Sequence, residues 1–588
     1  MCGIVGIVCD ENCQDYIFEG LKLVQYRGYD SVGICQKNGE QLKIDKTKGL
    51  IDKLITKTTP LPGAKVAIGH TRWATHGAVS EENAHPIEGK NKEWVVVHNG
   101  IIENYQQLMC DLQKEGEVFK TQTDTEAIAL LLSLNNFDSP IKNMIWAIKH
   151  LKGSYAICAV KKQEENCIYA AKYKSPLYAF CNDEIAMLAS DPICFPEGDY
   201  YKLEDGQLCV AKKGNIVFYN MRGEEIQKTK QRFQKIRAMA DKGDYQHFML
   251  KEIYETPEAL KRVAKNFLNV DFGAIKKLKF KNVKLIGCGT AYHSCLMGAA
   301  YFRKYLKIDA EAIFASELRY DDYVIGPHTL CIFISQSGET ADTIAALEKA
   351  KAKKAKIISF TNVPYSTIAS LSQIVLPISA GPEIAVASTK AYSCQVAGLY
   401  LLTQALKSEK HFYKAIKQVS ELAQTTEKFF VNMADFAQDI AQKQKIYFIG
   451  KGSDYITALE AALKLKEISY INCWALPAGE LKHGTLSLIE SKTPVIVIST
   501  NKSVHEKVMN SALEAKSRGA KLYLISYKPP QICELENFEF CLSLPKAPQP
   551  LLCILAILPM QLLSYNVSLI KGYDPDKPRN LAKSVTVE

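Results

Sequence analysis

The second half of this chain is written twice. Leu285-Ile286-Gly287-Cys288-Gly289-Thr290 is echoed 163 residues later by Phe448-Ile449-Gly450-Lys451-Gly452-Ser453. Ile332–Ser335 has its counterpart in Ile496–Ser499, 164 residues on, and Ala355-Lys356-Ile357 in Ala520-Lys521-Leu522, 165 residues on. Offsets that stay in register over three elements mark a duplicated unit. Each copy alternates helical patterns with short apolar runs, places a Gly-rich turn after its first run, and places a polar turn after a later one. That alternation predicts two α/β units with parallel sheets, and in such sheets ligands sit at the carboxyl ends of the strands.

The polar turn of the first copy has the richer chemistry. Cys331 to Ile334 reads as a buried parallel strand, Ser335-Gln336-Ser337-Gly338-Glu339-Thr340 as a tight turn, and the residues that follow as a helix. A helix start preceded by hydroxyls offers free N–H groups, the positive end of the helix dipole and side-chain donors. Three hydroxyls and an amide suit a phosphate monoester, whereas a dinucleotide site would favour glycines for close approach to a pyrophosphate. Ser and Thr also cap ordinary helices, so these residues alone leave both readings open. The second copy has Ser499-Thr500-Asn501-Lys502, a degraded version, so the phosphate is assigned to the first.

The first 220 or so residues have a different texture. Short strands are expected at Gly3–Val8, Ser31–Gln36, Lys65–Ala74, Trp94–His98, Tyr155–Val160, Ile168–Lys172 and Ile185–Ser190. Helical patterns lie at Asn12–Tyr26, Thr125–Leu134 and Ile141–Leu151, and glycine turns at Asp205-Gly206 and Lys213-Gly214 read as hairpins. The sum predicts an α+β domain of largely antiparallel sheet covered by helices. Residues 222–246 are polar and charged and read as a linker.

Bulk properties exclude several classes of function. The net charge of +10 is spread over 73 basic and 63 acidic residues without a dense basic run, which argues against nucleic acid. The longest apolar run, Leu551 to Met560, is too short to span a membrane and contains a proline. No basic region precedes the apolar N-terminal stretch, as a signal peptide would require. Eighteen cysteines without C-x-x-C pairs read as reduced thiols of a cytoplasmic protein, neither disulfides nor zinc ligands.

The N-terminus carries its own chemistry. Once Met1 is removed, the Cys2 thiol shares a residue with a free α-amino group whose pKa lies near 8, close enough to neutral to act as its base. His70-Thr71-Arg72-Trp73-Ala74-Thr75-His76-Gly77 places a guanidinium, suited to bidentate carboxylate binding, beside hydroxyl and backbone donors. His98-Asn99-Gly100 ends a strand with a side-chain amide next to a flexible N–H, the two-donor form of an oxyanion hole. Thr123-Asp124-Thr125-Glu126 opens a helix and reads equally as a capping box.

Together these four motifs resemble the N-terminal-nucleophile glutamine amidotransferases. With the duplicated sugar-isomerase (SIS) unit, the chain resembles, end to end, the glutamine–fructose-6-phosphate aminotransferase family. The ending Arg579-Asn580-Leu581-Ala582-Lys583-Ser584-Val585-Thr586-Val587-Glu588 is especially specific. The resemblance implies an αββα N-terminal-nucleophile glutaminase domain over 1–221, the 222–246 linker, SIS units over 247–425 and 426–564, and a tail, 565–588, entering the sugar site. It implies that Cys2 attacks the glutamine amide, that Asn99 and Gly100 hold the oxyanion, and that Arg72 and Asp124, with Thr75, His76 and Gly77, bind glutamine. Trp73 becomes the gate of an ammonia channel.

In the second half the resemblance maps the sugar site onto Cys288, Gly289, Thr290, Ser335, Gln336, Ser337, Thr340, Val386, Ala387 and Ser388, with Glu460 and Lys464 among the sugar-phosphate contacts. Glu460, Lys464 and Glu467 share one helical face; on pattern alone that is a salt-bridged surface, but the resemblance makes Glu467 the base that moves a proton between C1 and C2. His483, in Gly479-Glu480-Leu481-Lys482-His483-Gly484, would open the sugar ring from a neighbouring subunit of a homodimer, and Lys583 would engage C2 of the open ketose. No cofactor and no metal are implied; the substrates are glutamine and fructose 6-phosphate. Two departures stand out: Ala291 replaces a serine common in the family, and Thr485 a proline. The insertion of feedback-regulated relatives is not seen. A phosphoribosyl-diphosphate amidotransferase would need an acidic pyrophosphate loop, which is lacking.

Overall fold

The computed structural model describes residues 2–11, 13–135, 137–164, 166–233, 242–529 and 535–586. The chain divides into two units, Met1–Arg237 with Ser584–Glu588, and Ala238–Lys583.

In the first unit the central strands are buried on both faces and their side chains sort by parity. Along Trp94–Ile102, Val95 and Val97 enter one core with Ile4, Ile68 and Cys158, while Trp94 and Val96 enter another with Ile128, Leu131 and Met144. The first core lies between an eight-stranded and a seven-stranded antiparallel sheet. The second lies between the seven-stranded sheet and the helices Asp124–Leu134 and Pro140–Lys149. On the outer face of the eight-stranded sheet the helix Cys13–Val24 packs so tightly that a Cβ on Gly20 would meet Val5 at 2.8 Å, and one on Gly69 would meet Leu21 at 2.7 Å. The layers therefore run helix, sheet, sheet, helix. The pairing of Gly3 with Thr71 brings Cys2 beside Arg72 and Trp73.

Two sequence expectations change here. Lys213-Gly214 is a hairpin, with Lys212 opposite Asn215. Asp205-Gly206 is not: the strand before it, Gly198–Lys202, belongs to the eight-stranded sheet and the strand after it, Gln207–Lys212, to the seven-stranded one. The Asp205 carboxylate receives the Lys174 N–H and the Lys172 ammonium, which fixes the crossing; a glycine at positive φ serves a crossing as well as a hairpin. Of the expected linker, Glu225–Ile226 and Gln231–Phe233 are strands at sheet edges, and residues 234–241 lie outside the described residues.

The second unit shows the duplication directly. Its first five-stranded parallel sheet runs Asp309–Phe314, Asn282–Gly287, Thr329–Ser335, Lys356–Thr361, Ile374–Pro377. The second runs Asn472–Pro477, Lys445–Gly450, Pro494–Ser499, Lys521–Ser526, Phe540–Ser543, in the same order. The apolar run near the C-terminus is longer than the sequence reading gave: Gln549–Ile570 is long and apolar enough to cross a membrane, yet 83% of its apolar window is buried inside the unit. It packs on the Ser453–Ser469 and Ala434–Ala441 helices as a core element.

Candidate active sites

In the first unit the Cys2 thiol lies against the Trp73 backbone: Sγ donates to the Trp73 carbonyl at 3.5 Å and accepts the Trp73 N–H at 3.3 Å. Burial pushes this thiol above its ordinary value, against the lowering field of the chain terminus, so the resting group is a thiol that needs a base. Met1 itself lies outside the described residues. The Asn99 amide donates from Nδ2 to the Cys2 carbonyl at 2.9 Å, and its Oδ1 faces His70 Nε2 at 3.0 Å. His70 Nε2 also faces the His98 carbonyl at 3.0 Å. Burial, with the nearby Arg72 charge, depresses His70 to about 3. The ring is neutral, and because both partners are acceptors, the proton sits on Nε2. This fixes the Asn99 amide with its NH₂ toward Cys2. Gly100 has φ +135°, and a Cβ there would lie 2.0 Å from the Ser154 carbonyl oxygen, so only glycine fits.

The remaining glutamine-site candidates belong to the same unit, and of them Arg72 lies close enough for its charge to lower the Cys2 thiol. Arg72 is buried, and its guanidinium donates to the His76 carbonyl and, at 3.5 Å, to the Ala78 carbonyl, which ties it to the Thr75–Gly77 loop. Thr75 and Gly77 are exposed and His76 is half-buried against the Tyr105 ring. Asp124 accepts the Ile102 N–H at 2.9 Å, just beyond Gly100. The capping-box alternative fails: Thr123 makes no cap bond, and Glu126 instead receives the Lys120 and Thr121 N–H groups at 2.7 and 2.6 Å. Trp73 is half-buried; the buried core tryptophan is Trp94.

In the second unit the turn after Thr329–Ser335 is built from its own hydroxyls. Ser335 Oγ meets Thr340 Oγ1 at 3.0 Å and accepts the Gly338 N–H at 3.0 Å, while Thr340 makes no side-chain cap bond to the following helix. Plain capping does not explain these residues. Gly338 has φ +68°, and a Cβ there would lie 2.0 Å from Ser366 Oγ. After Asn282–Gly287 the chain turns through Cys288 and Gly289 into the Thr290–Tyr301 helix, and Thr290 Oγ1 donates to Glu460 at 3.0 Å.

The Glu460–Lys464–Glu467 stripe is no surface ladder. Glu460 and Lys464 are fully buried. Glu460 meets His293 Nδ1 at 2.7 Å, and Lys464 Nζ lies 2.5 Å from Glu467 and 3.7 Å from Glu460. Burial works against the Lys464 charge, but Glu467 and Glu460 outweigh it and hold the ammonium protonated. Glu467 is pushed above the usual carboxylate range, burial outweighing the Lys464 ammonium. Its side chain keeps 20% exposure, so it faces open space.

The C-terminal segment meets the same unit at a carboxylate that the sequence reading missed, with a second one nearby. Lys583 Nζ lies 2.5 Å from Glu383, and both side chains are buried. Glu383 also accepts the Ser388 hydroxyl at 2.9 Å and the Thr389 and Ala391 N–H groups at 2.9 and 3.0 Å. Burial raises the Glu383 carboxyl, but Lys583 and these donors outweigh it and hold it at about 2. Glu252, buried nearby, accepts the Ile384 and Ala385 N–H groups and is pushed up to about 8 by burial and the Glu383 charge. The Val386 N–H donates to the Asp576 carbonyl at 3.1 Å, and Ala387 is buried. His483 is exposed, and among the described residues its ring makes no hydrogen bond.

An N-terminal αββα layer carrying a half-buried Cys2 against a buried Asn99, followed by two copies of one parallel sheet, defines a glutamine amidotransferase joined to a sugar-isomerase pair. Residues 70–197 match the glutamine amidotransferase domain, and residues 278–405 and 439–571 match the SIS domain. Glutamine–fructose-6-phosphate aminotransferase (isomerizing) of Clostridium acetobutylicum is 39% identical over the whole of both chains, and that of Aquifex aeolicus 38%. The solved C-terminal domain of the Francisella tularensis glucosamine-fructose-6-phosphate aminotransferase is 34% identical with a TM-score of 0.52, covering 58% of this chain and 100% of that one. The chain belongs to the glutamine–fructose-6-phosphate aminotransferase family.

Proposed function

We propose that the chain converts D-fructose 6-phosphate and L-glutamine to D-glucosamine 6-phosphate and L-glutamate, by the following division of labour. Cys2, deprotonated by its own α-amine, attacks the glutamine amide while Arg72 and Asp124 hold the α-carboxylate and α-amine, with Thr75, His76 and Gly77 lining that end. Asn99 Nδ2 and the Gly100 N–H take the negative oxygen of the tetrahedral intermediate. Ammonia leaves, water hydrolyses the thioester, and glutamate departs. The ammonia passes, behind the Trp73 gate, to the sugar.

The Ser335-Gln336-Ser337 turn with Thr340, backed by Cys288, Gly289 and Thr290, takes the phosphate, and Val386, Ala387 and Ser388 line the sugar chain. His483, supplied by the second subunit of a homodimer, opens the ring. Lys583 forms a Schiff base at C2 with loss of water, ammonia displaces the lysine, and Glu467 carries the proton from C1 to C2 to give the aldose. Glu460 and Lys464 hold Glu467 in place. We place the reaction in the cytoplasm, where the cysteines, free wherever they are described, stay reduced.

The observation that carries this reading is Lys583 itself: an amine near the chain end, buried on Glu383, whose field also reaches Glu467. Reduction with borohydride in the presence of fructose 6-phosphate tests it. A hexitol phosphate adduct on the Lys583 peptide is expected; an unmodified Lys583 under conditions that support turnover contradicts the Schiff base.

A further inference from the structure

The two copies of the repeat differ at one spot that the sugar chemistry leaves unexplained. A Cβ on Gly287 would meet the carbonyl carbon of Ala291 at 3.1 Å, and one on Gly450 would meet that of Asp454 at 2.5 Å. Gly289 and Gly452 turn the chain in the same way, at φ +53° and +61°. Ala291 and Asp454 therefore occupy equivalent places, each at the start of the helix that follows its copy's first strand. The turns Ser335-Gln336-Ser337 and Ser499-Thr500-Asn501 are equivalent too, each leaving its copy's third strand.

In the first copy, position 291 offers only a methyl group. In the second, the Asp454 side chain reaches the turn. One carboxylate oxygen accepts the Thr500 N–H at 2.9 Å and the Asn501 N–H at 3.0 Å, and the other accepts the Thr500 hydroxyl. Asp454 is fully buried, and among the described residues it makes no ion pair. Its charge is met by successive backbone N–H groups and a hydroxyl, the donor set that anion-binding turns offer to phosphate. A buried carboxylate is tolerated only with such partners.

We propose that Asp454 is the resident anion of the second copy: its carboxylate fills the cradle whose first-copy counterpart takes the phosphate of the sugar, so the chain takes one sugar phosphate and not two. This rests on the assignment of the phosphate to the first copy's turn. The residue at the 291/454 position thereby decides which copy is a ligand site.

Inorganic phosphate binding by the full-length protein, measured calorimetrically, tests this. Wild type is expected to bind one phosphate per chain, and Ser335→Ala to weaken that site by about tenfold or more. Ser335→Ala with Asp454→Ser should regain one site in the millimolar range, whereas Ser335→Ala with Asp454→Asn, whose amide still fills the cradle, should not. If Ser335→Ala leaves wild-type binding intact, the assignment of the phosphate to the first copy falls, and with it the premise. If Ser335→Ala loses the site and Asp454→Ser restores nothing, the Asp454 inference alone is overturned, as it is if wild type binds two. Should Asp454→Ser fail to fold, Asp454→Gly decides: formate, replacing the missing carboxylate, should raise its folded yield and unfolding midpoint but not those of wild type. An equal response of the two proteins overturns the inference.

Discussion

A methyl group stands at position 291 where family members commonly place a hydroxyl, and that difference can be read as a binding energy. A hydroxyl donated to a charged phosphate oxygen contributes roughly 1 kcal/mol or somewhat more. Ala291→Ser should therefore lower the KM for fructose 6-phosphate by about fivefold and leave glutamine hydrolysis unchanged, since it adds nothing to the first unit. Steady-state kinetics of both half-reactions check this, and an unchanged KM would contradict the phosphate assignment. At the same scale His70 shows what a neutral buried ring does: with its proton on Nε2 it fixes which end of the Asn99 amide faces Cys2. Nothing in His70-Thr71-Arg72 singled that histidine out, because its partner Asn99 stands 29 residues away and on another sheet.

Among the elements, the short helix Phe248–Tyr254 and the loop ahead of Lys390–Lys407 are coupled by the two carboxylates Glu252 and Glu383. Glu252 is raised from an ordinary glutamate value near 4.3 to about 8, so the folded protein holds a proton that the unfolded chain releases. Its contribution to stability is full below the unfolded value and is lost as the pH rises through the folded one. Glu383 behaves oppositely: held at about 2, it contributes above its unfolded value and loses that contribution only in strong acid. Glu252→Gln keeps an acceptor for the Ile384 and Ala385 N–H groups but has no proton to lose. Its thermal midpoint should fall less than that of wild type between about pH 5 and 8; an equal loss over that range would contradict the protonated assignment. Helices, strands and the repeat were legible because periodicity and offset are local signals. Misread were features decided by distant partners. The Asp205-Gly206 turn looks like a hairpin until the sheets are known, and Glu126 looks like half a capping box until the Lys120 and Thr121 N–H groups claim it. Glu383 and Lys583 are 200 residues apart, beyond any pattern reading without the family motif.

For the whole molecule the question is coupling. Ammonia released at Cys2 into water is mostly protonated and diluted, so product formation needs a sheltered transfer from one half-reaction to the other. Trp73 is half-buried, and its backbone N–H and carbonyl both meet the Cys2 thiol, while its ring is not a core ring like that of Trp94. Removing a core tryptophan costs about 3–5 kcal/mol and depresses every activity. Trp73→Ala should instead yield a folded enzyme that hydrolyses glutamine and releases more glutamate than glucosamine 6-phosphate. A folded variant with the wild-type product ratio would show that Trp73 gates nothing. The central claim, that one chain moves the amide nitrogen of glutamine onto a ketose phosphate, is tested most directly with amide-¹⁵N-glutamine offered alongside a panel of sugar phosphates. The account predicts label at C2 of glucosamine 6-phosphate, formed from fructose 6-phosphate alone and lost in Cys2→Ala. Label confined to free ammonia, or found on a different sugar, would contradict it.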